Sequence, residues 1–360
     1  MKSICVTGFY ASGSSACLDY LSEYESTSFI NGKEDYEHSM FYIGDGLFEL
    51  YDRLYSDKSN YISRSHALND YVDLVNNQYN NNFGWFGSYK LLLGENFKKI
   101  SNDFINSISS KQGVAVDVAD YYGVHFSLIK GLLQLGAHFI YKYKISKFGR
   151  KYKKKTRVFR YLIADENTFR NNAKIFLEAY SKLCNKNNTN IIVHDHLVSA
   201  EQLYGIKYFL PDSYKVIIVD RNPVDLYLVT KKIWGSAKFG YAPPTPLAVE
   251  DFCWNYMYQR RNLEKMKEMS NVLYIKFEEL VQDYDKVIKI IDDFCGLKKE
   301  EHKFPKKYFN PEISINNIDL ESCYPEEKEN IAQIKKLISS SFYSYEKTKI
   351  CTNRKKEKIF

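Results

Sequence analysis

At 360 residues, 44% of them hydrophobic, the chain has length for one large or two ordinary domains and is not globally disordered. Its net charge of +7 belongs to one stretch: residues 121–164 hold eleven Lys or Arg and no Asp or Glu, and the rest is slightly acidic. Seven scattered cysteines without a C-x-x-C pair suggest neither a zinc site nor a disulfide framework, and Cys5, Cys17 and Cys295, set in apolar patterns, read as reduced core residues.

The first stretch, KSICVTGFYASGSSACLDYL over residues 2–21, reads as a buried strand, a Gly/Ser-rich turn and a helix start. Gly8 and Gly13 are five apart, followed by Ser14 and Ser15. Glycines let backbone N–H groups approach phosphate oxygens, and a helix N-terminus adds partial positive charge. Ser14 stands where a nucleotide triphosphatase places lysine. That argues against ATP and leaves room for a nucleotide with a single 5′-phosphate. A plain strand–turn–helix connection is the alternative.

A short strand is predicted over 27–30, then a polar loop over 32–46. Residues 47–110 carry apolar residues at helical spacing, with an asparagine-rich break at 76–82 and an aromatic cluster of Phe83, Trp85, Phe86 and Tyr89. Residues 114–118 read as a third strand and 121–143 as a helix. Residues 142–160 hold ten basic residues with interleaved aromatics. Such a segment binds anionic lipid, a polyanionic substrate or nucleic acid, or is a solvated loop.

The second half alternates more regularly. Residues 168–184 form an amphipathic helix, 190–193 a strand ending in HDH at 194–196, and 199–209 a helix-like stretch. A buried strand over 215–219 leads into DRNPVDLYLVTKK at 220–232, where Pro223 suits the first turn of a helix. Helices are predicted over 251–269 and 283–294, with a last strand over 272–277. This alternation implies a parallel, doubly wound sheet whose ligands sit beyond the carboxyl ends of its strands. The loop at 8–15, His194 to His196, and Arg221 all follow strand ends, so they can share one crevice. No cluster of metal ligands is visible, so no metal is expected. No apolar run reaches transmembrane length and the chain opens directly on a strand, so a cytoplasmic protein without signal peptide is expected.

The ordered set of strand–GxxxSGSS–helix, strand–HDHL, strand–RNPVDLYLV and strand–FEEL…FCGL resembles sulfotransferases that use 3′-phosphoadenosine 5′-phosphosulfate (PAPS). The glycine–serine opening is also similar to that of bacterial surface-polysaccharide sulfotransferases. The resemblance covers residues 3–21 and 190–297. It implies a P-loop-type α/β fold in a single domain over 1–360, with a large, mostly helical, acceptor-side insertion over 35–185.

The resemblance also implies roles. Residues 8–15 would clamp the 5′-phosphosulfate through Gly8, Ser12, Gly13, Ser14 and Ser15. Arg221 would bind the 3′-phosphate, so its loss should weaken ligand binding far more than folding. His196 falls where the small-molecule branch has its catalytic base, and His194 stands where that branch has a lysine. FEEL at 277–280 resembles a structural ending, and Ser314 lies in a segment, SINNI, that passes near the nucleotide in some members. Glycan-modifying branches use a glutamate soon after the second strand, which makes Glu34 and Glu37 alternative bases. Two positions depart from the pattern. Ala11 stands where the family has Lys or Arg, and Val229 where it has serine, with Thr230 adjacent. Residues 142–160, or Lys231 and Lys232, are candidate sources of the missing charge.

The implied activity is transfer of a sulfo group to a hydroxyl of a carbohydrate acceptor, a surface glycan that is free or lipid-linked. Residues 142–160 would touch the inner face of an anionic membrane, and no nucleic acid is expected. A non-catalytic nucleotide- or glycan-binding relative, or a nucleotide-dependent kinase, remain the alternatives.

Overall fold

Strand β1 (Lys2–Gly8) forms the middle of a parallel sheet because its inner residues are apolar on both faces: Ile4, Cys5 and Val6 are fully buried. The computed structural model describes residues 1–32, 39–83, 86–115, 157–234 and 248–339. With β2 (Thr27–Ser28), β7 (Ile191–Asp195), β8 (Tyr214–Asp220) and β9 (Val272–Lys276), β1 makes a five-stranded sheet of order β2-β7-β1-β8-β9. All four pairings are parallel. The carboxyl ends of β7, β1 and β8 are therefore neighbours, although β1 ends at Gly8, long before Ile191 opens β7.

Alternation along the strands divides the core in two. Ile4, Val6, Val193, Ile217 and Val219 face α1 (Ser14–Leu21), α11 (Phe277–Gln282) and α12 (Tyr284–Cys295). Cys5, Ile192, Val216 and Ile218 face a larger helical layer. That layer contains α2 (Leu47–Tyr55), α3 (Tyr61–Asn80), α4 (Tyr89–Leu93), α5 (Glu95–Ile108) and α6 (Glu166–Cys184). Its centre is aromatic: Phe104 stacks on Phe176 with centroids 5.2 Å apart, and Phe41 meets Tyr180 edge-on at 4.9 Å. The fold is thus a P-loop-type α/β sheet covered by helices on both faces.

Local chemistry sets several element ends. Asn60 caps α3 by accepting from the N–H groups of Ile62 and Ser63, and Asp165 caps α6 through Thr168 N–H. Pro223 opens α8 (Pro223–Leu228), with Asn222 accepting from Val224 N–H at 2.9 Å. The chain then widens into a π-helical turn, Val229–Trp234.

Several expected boundaries move. The asparagines at 76–80 do not break α3, which runs to Asn80; the turn comes between β3 (Asn82–Phe83) and β4 (Phe86–Gly87). The strand expected at 114–118 starts earlier, as β5 (Ser109–Ala115). It leaves the main sheet and pairs antiparallel with β6 (Arg157–Leu162). The helix-like stretch at 199–209 reduces to α7 (Leu203–Ile206). The helix expected over 251–269 divides into α9 (Val249–Gln259) and α10 (Leu263–Lys267). A short helix α13 (Pro311–Ser314) and the closing α14 (Lys328–Leu337) complete the described chain. Asp225 of α8 holds this end in place, accepting from the N–H groups of Asp319 at 2.9 Å and Leu320 at 2.8 Å.

The predicted helix at 121–143 and most of the basic segment, residues 142–156, lie outside the described residues. The described end of that segment is not a solvated surface throughout: Arg160 is buried and donates from Nε to Asn69 Oδ1 at 3.2 Å. Cys5, Cys17 and Cys295 are buried free thiols, as expected for core residues. Among the described residues, no helix is long and apolar enough to cross a membrane.

Candidate active site

The loop after β1 closes tightly on itself. Ser12 N–H donates to Phe9 C=O at 2.9 Å, and Ala11 has a positive φ of 60°. A Cβ at Gly8 would lie 2.2 Å from Ser12 Oγ and 2.6 Å from the Val219 carbonyl, so only glycine fits. Gly13, with φ of 89°, starts α1; a Cβ there would meet the Phe277 ring at 2.5 Å. Ser14 and Ser15 form the first turn of α1, which has no acidic residue and no side-chain cap. The hydroxyls of Thr7 and Ser12 are buried without a hydrogen-bond partner. Buried hydroxyls of this kind cost free energy until a ligand oxygen meets them. A glycine cradle, a helix N-terminus and unmet hydroxyls together fit an anionic group.

His196 lies one strand away. Its N–H donates to Val6 C=O at 2.9 Å, which extends the β1–β7 pairing by one residue. Its φ of 50° then turns the chain out of the sheet. Nδ1 lies 2.5 Å from Asp195 Oδ1, and both side chains are about one-fifth exposed. A carboxylate acceptor requires the proton on Nδ1, which places the imidazole lone pair on Nε2.

His194 has a different fate. It sits two residues earlier on the face that meets α6 and is fully buried. Its Nε2 is 2.8 Å from Ser181 Oγ, and its ring stacks on Tyr214. Strand alternation buries it, so the expectation of a crevice residue is corrected: His194 belongs to the core. Burial pushes its pKa down to about 3.

Arg221 reaches the loop from the end of β8. Its Nη1 donates to Ala11 C=O at 3.3 Å, and its Nη2 donates to the carbonyl of Asn317. Its guanidinium lies over the Phe277 ring at 5.0 Å, and its Nε is buried without a partner. Arg221 is therefore a strut between the loop and the C-terminal segment as well as a charge beside the cradle. These two ties give its loss a cost in local structure besides any cost in ligand binding. Ser314, half-buried, precedes the turn Ile315–Asn317 that brings Asn317 to Arg221. Thr230 is buried and donates its hydroxyl to Tyr227 C=O at 3.0 Å. Glu34 and Glu37 lie outside the described residues.

The two departures meet in one place. Val229 is buried in a cluster formed by α8, α9 and α14, and Ala11 packs against that cluster. An apolar contact thus occupies the loop position where a cation was expected. Lys231 and Lys232 do not stand in for it. Both pair with Glu327, at 2.8 and 2.7 Å, and fasten α14 to the π-helical turn.

Residues 149–352 match the model of the sulfotransferase domain. The chain belongs to the sulfotransferase domain family. No curated protein matches the sequence. The match covers more than half of this sulfotransferase but starts after β1 and its loop. Hydrogen bonding supplies what the match leaves out, because β1 lies between β7 and β8, both inside the matched span. Among the described residues, no cluster of His, Cys, Asp or Glu could hold a metal.

Several site residues were not legible in the sequence. Asp220 is buried and accepts from Arg221 N–H at 2.8 Å, Tyr274 OH at 3.0 Å and Arg260 Nη2 at 2.6 Å. Arg260 also lies 3.9 Å over the Phe9 ring of the loop. Glu278, the first glutamate of FEEL, accepts from Asn222 N–H at 2.8 Å and so fixes the turn after β8. Only the FEEL motif gave a signal; Arg260 and Tyr274 are forty or more residues from Asp220 and carry none.

The buried imidazole of His194 sets a pH dependence. The unfolded chain takes up a proton on this group below its ordinary pKa near 6.5, and the folded chain does not until about 3. Stability should therefore fall as pH falls from 6.5 toward 5, by up to about 1.4 kcal/mol per pH unit. Denaturant unfolding across this range should show that slope. A His194→Gln variant should lose it, and an unchanged slope in the variant would contradict the assignment.

Proposed function

We propose that this sulfotransferase moves the sulfo group of PAPS to a hydroxyl of a carbohydrate acceptor, a surface glycan. The observation that carries the reading is the loop 8–15, with its buried unmet hydroxyls, beside the His196–Asp195 pair on the neighbouring strand. Bound PAPS would supply the sulfo group and leave as adenosine 3′,5′-bisphosphate. The backbone around Ser12 to Ser15 and the hydroxyls of Thr7 and Ser12 would hold its 5′ side. Arg221, with Ser314 and Thr230 nearby in the chain's path, would serve the 3′-phosphate. Charge on the departing phosphate is met by fixed donors that need no reorganisation.

In this reading His196 is the base. Asp195 holds the Nδ1 proton, so Nε2 can take the proton that the acceptor hydroxyl loses as its oxygen bonds to sulfur. The carbohydrate acceptor rests on the resemblance of the glycine–serine opening to polysaccharide-modifying enzymes. Residues 142–160 belong to the same proposal, as a basic contact to an anionic inner membrane face that carries a lipid-linked acceptor. That contact is tested by co-sedimentation with anionic vesicles. Binding should fall as salt rises, and salt-insensitive or absent binding would remove the membrane from the proposal.

Adenosine 3′,5′-bisphosphate should raise thermal stability, by about 2.7 kcal/mol at 100 times its dissociation constant. A shift with ATP and magnesium but none with the bisphosphate would overturn the nucleotide assignment.

His196→Ala should lower turnover by roughly 10²–10⁴-fold while leaving bisphosphate affinity nearly unchanged. Full turnover in that variant, with loss in Glu34→Gln or Glu37→Gln, would move the base to the glutamate branch.

A further inference from the structure

Helix α9 has two unlike faces. Val249, Phe252, Cys253 and Tyr256 are buried against α8 and α14. On the other face Trp254 is 58% exposed, Tyr258 46% and Met257 43%. Large exposed rings grouped on one face mark an interaction site more often than chance decoration. Here the rings are also ordered. Trp254 and Tyr258, one turn apart, stack with centroids 4.9 Å apart and planes within 10°. The Arg261 guanidinium lies 4.1 Å over the Tyr258 ring and pairs with Glu201 at 3.0 Å. Indole, phenol and guanidinium form a column, with the exposed indole at its end.

The column is tied to the active site at two points. Arg260, beside Arg261, lies over Phe9 of the loop after β1. Glu201 follows His196 by five residues. The end of α9 is therefore fixed against the segments that leave both β1 and β7, and the column stands beside the carboxyl edge of the sheet.

We propose that Trp254, held by Tyr258 behind it, forms an acceptor subsite whose indole face stacks against a pyranose ring of the glycan. This rests on the carbohydrate reading above and adds where the sugar is held. A pyranose has an apolar face of axial C–H bonds and an edge of hydroxyls. The indole suits the face, and the Arg261–Glu201 pair beside it offers donors and acceptors for the edge. Because the rings are already stacked, little side-chain freedom is lost on binding. The rim argues against a lipid occupant. Glu250 and Asp251 are exposed on the same helix and repel an anionic bilayer, and the Arg261 charge at its far end is already paired with Glu201.

The test is binding of the purified full chain to a panel of neutral and uronate-containing pyranose oligosaccharides, with and without adenosine 3′,5′-bisphosphate. The parent should bind at least one glycan. Trp254→Ala should weaken that binding about tenfold, and Tyr258→Ala, which removes only the support behind the indole, by a smaller factor. Trp254→Phe should restore most of the loss, and bisphosphate affinity should be the same in all variants. Because Trp254 is exposed, the variants should melt with the parent, and the phenylalanine variant gives a folded comparison if alanine does not. Equal glycan affinity in parent and Trp254→Ala overturns the subsite while leaving the function reading intact. Sulfation of phenols with no glycan bound overturns both. Loss of anionic-vesicle binding, rather than glycan binding, in Trp254→Ala assigns the face to a membrane and overturns the subsite alone.

Discussion

The buried carboxylate of Asp220 is the constraint on which the site depends. A carboxylate this far from water costs several kcal/mol unless its oxygens are met. Here a backbone N–H, a phenol and a guanidinium meet them. Each partner comes from a different element: the turn after β8, strand β9, and the residue that ends α9. Arg260 then covers Phe9, so the same charge that closes the sheet edge also presses on the loop after β1. Removing the carboxylate would leave a buried guanidinium unpaired and loosen all of these elements together.

The fold was legible because its signals are local. Apolar runs such as those around Ile4 and Val216 mark strands buried on both faces, and Pro223 marks a helix start. Neighbouring strand ends followed from the parallel alternation, which is why the loop, His196 and Arg221 could be expected side by side. What failed was the direction of side chains. His194 and His196 look alike in HDH, yet one enters the helical layer and the other leaves the sheet at a left-handed residue. No local pattern distinguishes them. Nor can spacing reveal that Arg221 spends donors on two backbone carbonyls, or that Arg260 reaches Asp220.

The departures from the family pattern acquire a common cause. Ala11 and Val229 are far apart in sequence but share one apolar cluster beneath the loop. A lysine at position 11 would have to leave that contact, and a serine at 229 would bring a hydroxyl into it. Both substitutions would put polar groups against the same apolar cluster. The loop itself then carries no cation, and the described positive groups that touch it are Arg221, on the Ala11 carbonyl, and Arg260, over the Phe9 ring.

The position of β1 has a consequence for how the enzyme comes into being. Its partners on either side, β7 and β8, are translated only after nearly two hundred further residues. At usual elongation speeds that is roughly ten to forty seconds. During that time the first strand has no sheet to enter, and Ile4, Cys5 and Val6 are without cover. The loop after β1 is therefore made early but shaped only once β7 and β8 exist. The candidate site is complete only when the second half of the chain has closed around the first.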